Sequence, residues 1–343
     1  MKIFPTNVND LLFYNRTFED VGEAIPISPD GTCSESFLVP NIERTKCILP
    51  SRFDVARHFM LYGGLEGLKE NFTLLSTRIQ SFGRYMFDLK EFPVAKNLFL
   101  SEKFVKAAQE ICPVNKKVID PFQFNFIIQI PGQTVPIHLD APYFEDATRF
   151  QYPQWLLVAM VGSGLYKDKF IDQVQGVGYL HEWNSTRNAG QFAYFDNNDI
   201  KPVYEKPVPR SVSLLDGSKT MHAATLYKPK LRPPILPKDA KNELVFSPEK
   251  EGDETWELRS NDEILKKYHT NDLRITIVYR ARCFESEEKR DNFHNWFTSG
   301  KDVRPVEVIL NELKNELVEK KGYDKKTLDS MKRLELAIIY ALN

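Results

Sequence analysis

Cysteine and histidine are scarce in this 343-residue chain, with four of one and six of the other. Cys33, Cys47, Cys112 and Cys283 lie far apart with no Cys-x-x-Cys pair, which excludes zinc-ribbon spacing. A chain this long buries a core without covalent staples, so a disulfide framework is not expected. Long apolar runs are missing too, since no segment approaches the ~18 residues that cross a bilayer. The opening Met-Lys-Ile-Phe-Pro-Thr-Asn meets polar residues before an apolar stretch of signal-peptide length develops, so no cleaved signal is expected. The sequons at Asn15, Asn71 and Asn184 are then expected to be unused. Charge of either sign is not in excess: 46 Lys and Arg face 47 Asp and Glu. That balance gives no electrostatic reason for a nucleic-acid or anionic-membrane partner. Together these absences lead us to expect a cytoplasmic protein.

What is present is ordinary globular material, 42% apolar and 27% charged, which excludes wholesale disorder. Residues 1 to about 45 read as irregular, and Arg52 to Cys112 as mainly helical. Ser101 is the expected N-cap of a helix over Glu102–Ile111, ended by Pro113. The middle of the chain changes character. Phe122–Ile130, Trp155–Val161, Gln191–Phe195, Ser211–Leu215 and Arg274–Arg280 are short β-branched or aromatic runs separated by Gly, Pro, Asn and Asp. Such runs predict strands of a sandwich or jelly roll, and the lack of helical patterns between them argues against a Rossmann-like sheet. Between Lys228 and Thr270, five prolines and an acidic stretch predict a strandless insertion, a candidate lid. After Phe284, apolar stripes through Val306, Ile309, Leu310, Leu313 and Leu317, and through Leu328, Met331, Leu334, Ile338 and Leu342, predict helices.

The chemistry-bearing residues fall in three places. In Pro136-Ile-His138-Leu-Asp140-Ala-Pro-Tyr143-Phe144, a histidine and a carboxylate two apart on a strand share a face and can reach one metal ion. Chance alone supplies about 0.4 such pairs in a chain of this composition, so the pair needs support. His222, 84 residues after His138 and just beyond the Asp216-Gly217 turn, could be a third ligand. Two histidines and one carboxylate leave open positions on an octahedral ion, the facial arrangement of non-haem Fe(II) oxygenases. Arg274 and Thr276 share a face of a later strand, a fork and a hydroxyl suited to holding a carboxylate. Asn125 and Gln129 share a face before the motif and could contact a co-substrate or substrate, or serve as core hydrogen-bonding groups. Tyr143 and Phe144 are read as core, and His181 as a loop residue. His58, His269 and His294 lack a partner at metal-ligand spacing.

The ordered set resembles the 2-oxoglutarate and Fe(II)-dependent oxygenases, in their prolyl-hydroxylase-like and phytanoyl-CoA-hydroxylase-like branches. It comprises His138-Leu-Asp140 with Tyr143-Phe144, the Trp155–Val161 run, Phe192 to Asn197, Leu215-Asp216-Gly217 with His222, and Arg274-Ile-Thr276, about half the chain in the family's order. The resemblance implies an α+β protein with a double-stranded β-helix (jelly-roll, cupin-like) core over 114–285. An extension over 1–113 would pack on that core, 228–270 would be inserted in it, and helices over 286–343 would follow. It implies His138, Asp140 and His222 as Fe(II) ligands, Arg274 as the anchor of 2-oxoglutarate, and O₂ as co-substrate. Arg274 lies 52 residues after His222, where the family's arginine follows by about ten. Arg232 has the family spacing but precedes Pro233-Pro234, which cannot pair in a central strand, so Arg274 is preferred. Hydroxylation of a small-molecule metabolite is the default expectation, with desaturation or oxidative ring closure open to the same site. A prolyl-type protein hydroxylase and a non-enzymatic jelly-roll binder are the alternatives. The protein is expected to be a monomer, or a homodimer through its terminal helices.

Overall fold

The computed structural model describes residues 2–5, 25–30, 39–40, 45–48, 53–54, 58, 61–62, 70, 72–86 and 92–340, except 153, 184–189, 197–200, 238–239, 332–334 and 337–338. In chain order the elements are β1 (Lys2–Pro5), β2 (Phe53–Asp54), α1 (Phe72–Ile79), β3 (Phe82–Met86), α2 (Pro93–Phe99), α3 (Glu102–Ile111), β4 (Val118–Gln129) and β5 (Val135–His138). There follow α4 (Gln154–Ser163), β6 (Gln173–Tyr179), β7 (Phe192–Tyr194), β8 (Val203–Glu205), β9 (Val212–Leu215) and β10 (His222–Ala224). Then come β11 (Asn242–Phe246), β12 (Thr255–Ser260), β13 (Glu263–His269), β14 (Arg274–Phe284), α5 (Glu287–Ser299), α6 (Val306–Lys321) and α7 (Lys325–Ser330). Helix and antiparallel sheet are thus mixed.

Two antiparallel sheets position the site. A nine-stranded sheet runs β9-β6-β14-β4-β3-β1-β11-β12-β13, and a five-stranded sheet runs β8-β7-β10-β5-β2. The chain passes back and forth between them: β4 to β5, β6 to β7 and β8, β9 to β10, and finally β14. Because strand side chains alternate, the nine-stranded sheet separates its chemistry by face. One face carries Phe124, Val174, Ile277 and Tyr279, buried beneath Phe99 of α2 and Phe104 and Ala108 of α3. The other carries Asn125, Gln129, Arg274, Thr276 and Gln175, and turns toward the five-stranded sheet, where Val177 and Val278 pack on Phe192 of β7. A polar face enclosed between two sheets is costly unless its groups find partners, so it marks where function sits.

The predicted strands at Phe122–Ile130, Gln191–Phe195, Ser211–Leu215 and Arg274–Arg280 are present within a few residues as β4, β7, β9 and β14. The helix over Glu102–Ile111 has its expected cap, the Ser101 hydroxyl accepting from the Phe104 N–H at 3.4 Å. Ile309, Leu310, Leu313 and Leu317 are buried along α6 as the stripe predicts. Leu334, Ile338 and Leu342 of the second stripe, and Cys33, lie outside the described residues.

Three expectations fail. Trp155–Val161 is not a strand but most of α4, whose Trp155, Leu156, Leu157, Ala159 and Met160 are buried against α6. A helix wrapped on all sides shows no amphipathic period, so a short apolar run cannot distinguish it from a buried strand. The 228–270 interval is not strandless: its prolines stop at Pro248, and β11–β13 form a meander that extends the nine-stranded sheet. Cysteine pairing is the third correction. Cys112, closing α3, is bonded to Cys283 near the end of β14, and Cys47 is also disulfide-bonded. With a sequence separation of 171 between the partners, spacing carries no sign of the bridge.

Candidate metal centre

Strand pairing builds the site. On adjacent strands β5 and β10, His138 and His222 stand directly opposite each other, with ring centroids 4.2 Å apart. Each ring is fixed by its own local chain: His138 Nδ1 donates to the Pro136 carbonyl and His222 Nδ1 to the Thr220 carbonyl, both at 2.8 Å. Those bonds place the proton on Nδ1 and leave each Nε2 with a lone pair, the form in which imidazole ligates metals. Asp140, two residues past His138, brings a carboxylate oxygen 3.8 Å from His138 Nε2. The three residues are 7%, 2% and 2% exposed for His138, Asp140 and His222, and one donor atom from each lies within 4.8 Å of the others.

The turn before β10 holds the third donor in place. Asp216 accepts from the Ser218 N–H at 3.0 Å and from the Ser218 hydroxyl, while the Lys219 and Thr220 N–H groups donate to its carbonyl. Burial pushes the Asp216 carboxyl above the usual carboxylate range. Gly217 follows, and its carbonyl accepts from the Asp140 N–H at 2.7 Å. A Cβ at 217 would stand 2.4 Å from Asp140 Oδ2 and 3.0 Å from His222 Cε1. The space a side chain would fill is therefore kept for the donor set, and two neutral imidazoles with a carboxylate suit a divalent first-row metal such as Fe(II).

Two side chains from the nine-stranded sheet complete the surroundings. Arg280 of β14 forms an ion pair with Asp140, and the Gln175 amide of β6 lies 3.2 Å from His222 Nε2 and also faces the Asp140 carboxylate. Neither was singled out from the sequence, where Gly217 was read only as part of the turn before His222. Arg280 had a signal available: it stands an even number of residues from Arg274 and Thr276, on the face they share.

Farther along that face lies a second polar cluster. Arg274 is 3% exposed; its Nε donates to the Gly190 carbonyl at 2.9 Å and its Nη1 to Gln129 Oε1 at 2.8 Å. No carboxylate pairs with it among the described residues, and burial pulls its guanidinium pKa down. Gln129 is Arg274's direct partner across β4 and β14, and Thr276 donates to the Ile127 carbonyl at 3.2 Å. The structure thus brings together the Arg274, Thr276 and Gln129 that sequence reasoning selected. Asn125 lies on the same strand face, with a buried side-chain oxygen that has no partner among the described residues. Arg232 is exposed. Tyr143 and Phe144 are buried in apolar clusters, as expected. His181 lies in the loop after β6, as expected, and is buried there beside Arg274.

No protein-family model and no curated relative matches the chain. Among solved structures it is similar to 2-oxoglutarate/Fe(II) oxygenases. A Pseudomonas putida prolyl-4-hydroxylase is 12% identical, with 59% of this chain and 71% of that one covered and a TM-score of 0.31. A Trichoplax adhaerens prolyl hydroxylase, solved with a fragment of the hypoxia-inducible-factor oxygen degradation domain, is 12% identical, with 62% and 65% covered and a TM-score of 0.33. HygX from Streptomyces hygroscopicus, with nickel and 2-oxoglutarate bound, is 12% identical, with 58% and 69% covered and a TM-score of 0.29. Likeness at this level assigns neither residue roles nor substrate; the side chains must supply them. Among the described residues, no helix is long and apolar enough to cross a membrane.

Proposed function

We propose that the protein is an Fe(II)- and 2-oxoglutarate-dependent dioxygenase that oxidises an unactivated C–H bond of a small-molecule metabolite, by default to the alcohol. One observation carries the reading: a buried His-Asp-His donor set meets, through the Asp140–Arg280 ion pair, the enclosed sheet face that also carries Arg274, a buried arginine with no carboxylate partner among the described residues. A cation taken out of water without an anion costs several kcal/mol or more, so its retention calls for a ligand carboxylate. The alternation of the chain between sheets ordered β9-β6-β14-β4 and β8-β7-β10-β5 supports a double-stranded β-helix core. In the same proposal that core spans 114–285, between the 1–113 and 286–343 extensions.

His138, Asp140 and His222 would hold the iron, which when bound supplies the open coordination positions and redox capacity for coupling 2-oxo-acid decarboxylation to C–H oxidation. The rest falls to the chain. Arg274 receives the distal carboxylate of 2-oxoglutarate through its remaining guanidinium N–H groups; Gln129 and the Gly190 carbonyl fix the guanidinium, and Thr276 stands beside it on the same strand face. Arg280 holds the Asp140 carboxylate in place through their ion pair. Val177, Val278 and Phe192 keep bulk water from the space between the sheets. Burial of all three donors favours a compact substrate that can enter the cleft over a residue on a folded protein surface.

Anaerobic protein given Fe(II) and 2-oxoglutarate should develop the weak visible charge-transfer band of a chelated 2-oxo acid. A protein that holds the metal but shows no band refutes the co-substrate assignment. His138→Ala and His222→Ala should each lose iron retention, and a variant that keeps it removes that residue from the donor set.

A further inference from the structure

The polar cluster around Arg274 holds one titratable group that the proposed reaction does not use. His181, just past β6, is 2% exposed. Its Nδ1 donates to the carbonyl of Ile275, the neighbour of Arg274, at 3.1 Å. Its Nε2 is therefore the unprotonated nitrogen, and that atom is buried with no partner among the described residues. So is Gln129 Nε2, on the amide whose oxygen takes Arg274. The ring lies between Tyr179 and Tyr227, at 6.3 and 6.4 Å between centroids, and the Arg274 guanidinium sits over the Tyr179 ring at 5.9 Å. Two unsatisfied nitrogens thus flank one cation that has no carboxylate partner among the described residues. An orphaned acceptor beside a cation is a poor arrangement by itself, and it becomes a good one when an anion binds and the ring takes up a proton.

We propose that His181 is a proton-linked contact of the co-substrate carboxylate: binding of the dianion draws one proton from solvent onto His181 Nε2, which then donates to the carboxylate. This rests on the co-substrate site proposed above. No redox step is involved; the proton comes from water, and Nδ1 keeps its bond to Ile275. In the unliganded protein burial holds the His181 ring down at about 4, with the Arg274 charge adding to the effect. The groups facing it are Arg274 from β14, Tyr179 from β6 and Tyr227 after β10. Beyond Tyr227 lies Asp272, paired with Lys228. A carboxylate a few ångströms away should raise the ring by roughly one to three pKa units.

The test is calorimetric titration of 2-oxoglutarate into anaerobic Fe(II)-loaded protein from pH 5 to pH 8, in buffers of different ionisation heat, for wild type and His181→Asn. Loading the metal stops His138 and His222 from titrating and isolates His181. Wild type should take up a proton at the acid end, and its affinity should fall by up to about tenfold per pH unit until the bound-state pKa is passed. His181→Asn should bind with no such slope. Equal slopes and equal proton uptake in both proteins overturn the inference and leave the co-substrate site standing. Failure of wild type to bind 2-oxoglutarate at any pH overturns the site and the inference with it. If His181→Asn does not fold, ¹³C-histidine spectra of the Zn(II)-loaded wild type decide: one buried ring must shift its titration upward on adding 2-oxoglutarate, and an unmoved ring refutes the contact.

Discussion

Gly217→Ala places one methyl group in the middle of the donor set. The new Cβ would lie 2.4 Å from Asp140 Oδ2, 2.9 Å from Gln175 Oε1 and 3.0 Å from His222 Cε1, where ordinary contact begins at 3.4 Å. Something must therefore move by about 1 Å at the carboxylate. Asp140 cannot simply swing aside, because Arg280 holds its carboxylate and the Gly217 carbonyl holds its N–H. Backing the turn away instead pulls on that 2.7 Å bond and on the segment leading to His222. Catalytic and metal-binding groups tolerate about 0.5 Å of misplacement, and a shift of about 1 Å costs on the order of 100-fold. The expected result is about a 100-fold loss of Mn(II) affinity, read by electron paramagnetic resonance titration, with overpacking costing about 1–3 kcal/mol of stability and the circular dichroism of a folded protein retained. A folded Gly217→Ala variant that binds Mn(II) within about threefold of wild type would refute the claim that these three side chains share one ion.

Two further predictions concern the scaffold. Replacing Cys112 and Cys283 together by Ser should cost about 2–5 kcal/mol, since the bridge closes a loop of 171 residues, and non-reducing peptide mapping should recover the Cys112–Cys283 pair; free thiols at both positions would refute it. Burial pushes the His58 ring down to about 3, below its unfolded value near 6.5. Its contribution to stability is then full above about pH 6.5 and is lost as pH falls, by roughly 1.4 kcal/mol per unit. Urea melts should show about 2 kcal/mol less stability at pH 5 than at pH 7 from this group, and His58→Gln should remove that share; an unchanged pH dependence in the variant refutes the assignment.

The site was legible where chemistry and strand period coincide. His138 ends β5 with Asp140 two residues beyond it, and Arg274 and Thr276 share a strand face at the same spacing, so short-range sequence carried both pairs. Arg232 could be set aside because two prolines follow it, and its exposure agrees. The rest depends on contacts that local sequence does not encode. Gln175, Arg280 and Gly217 reach Asp140 or His222 only when the sheets close on each other. His181 sits among turn-forming residues and reads as loop, yet it is buried because Tyr179, Tyr227 and β14 converge on it. Trp155–Val161 misled because full burial erases amphipathic period, and β11–β13 because prolines upstream masked a meander downstream.

The sheet order also bears on how the molecule comes to be made. β1 is wedged between β3 and β11, with Lys2 opposite Val245 and Pro5 opposite Phe82. Among the described residues, the β11–β13 meander joins the nine-stranded sheet through that strand. On the ribosome, β1 is available long before its second partner, because roughly 240 residues at ~5–20 per second take about 10–50 s to emerge. During that interval the growing sheet keeps an open edge of unpaired N–H and C=O groups, the feature through which nascent chains join one another. Pairing this distant also belongs to slow folding. Synthesis rate and chaperone occupancy over this interval, more than the stability of the finished fold, should set how much of the protein escapes aggregation.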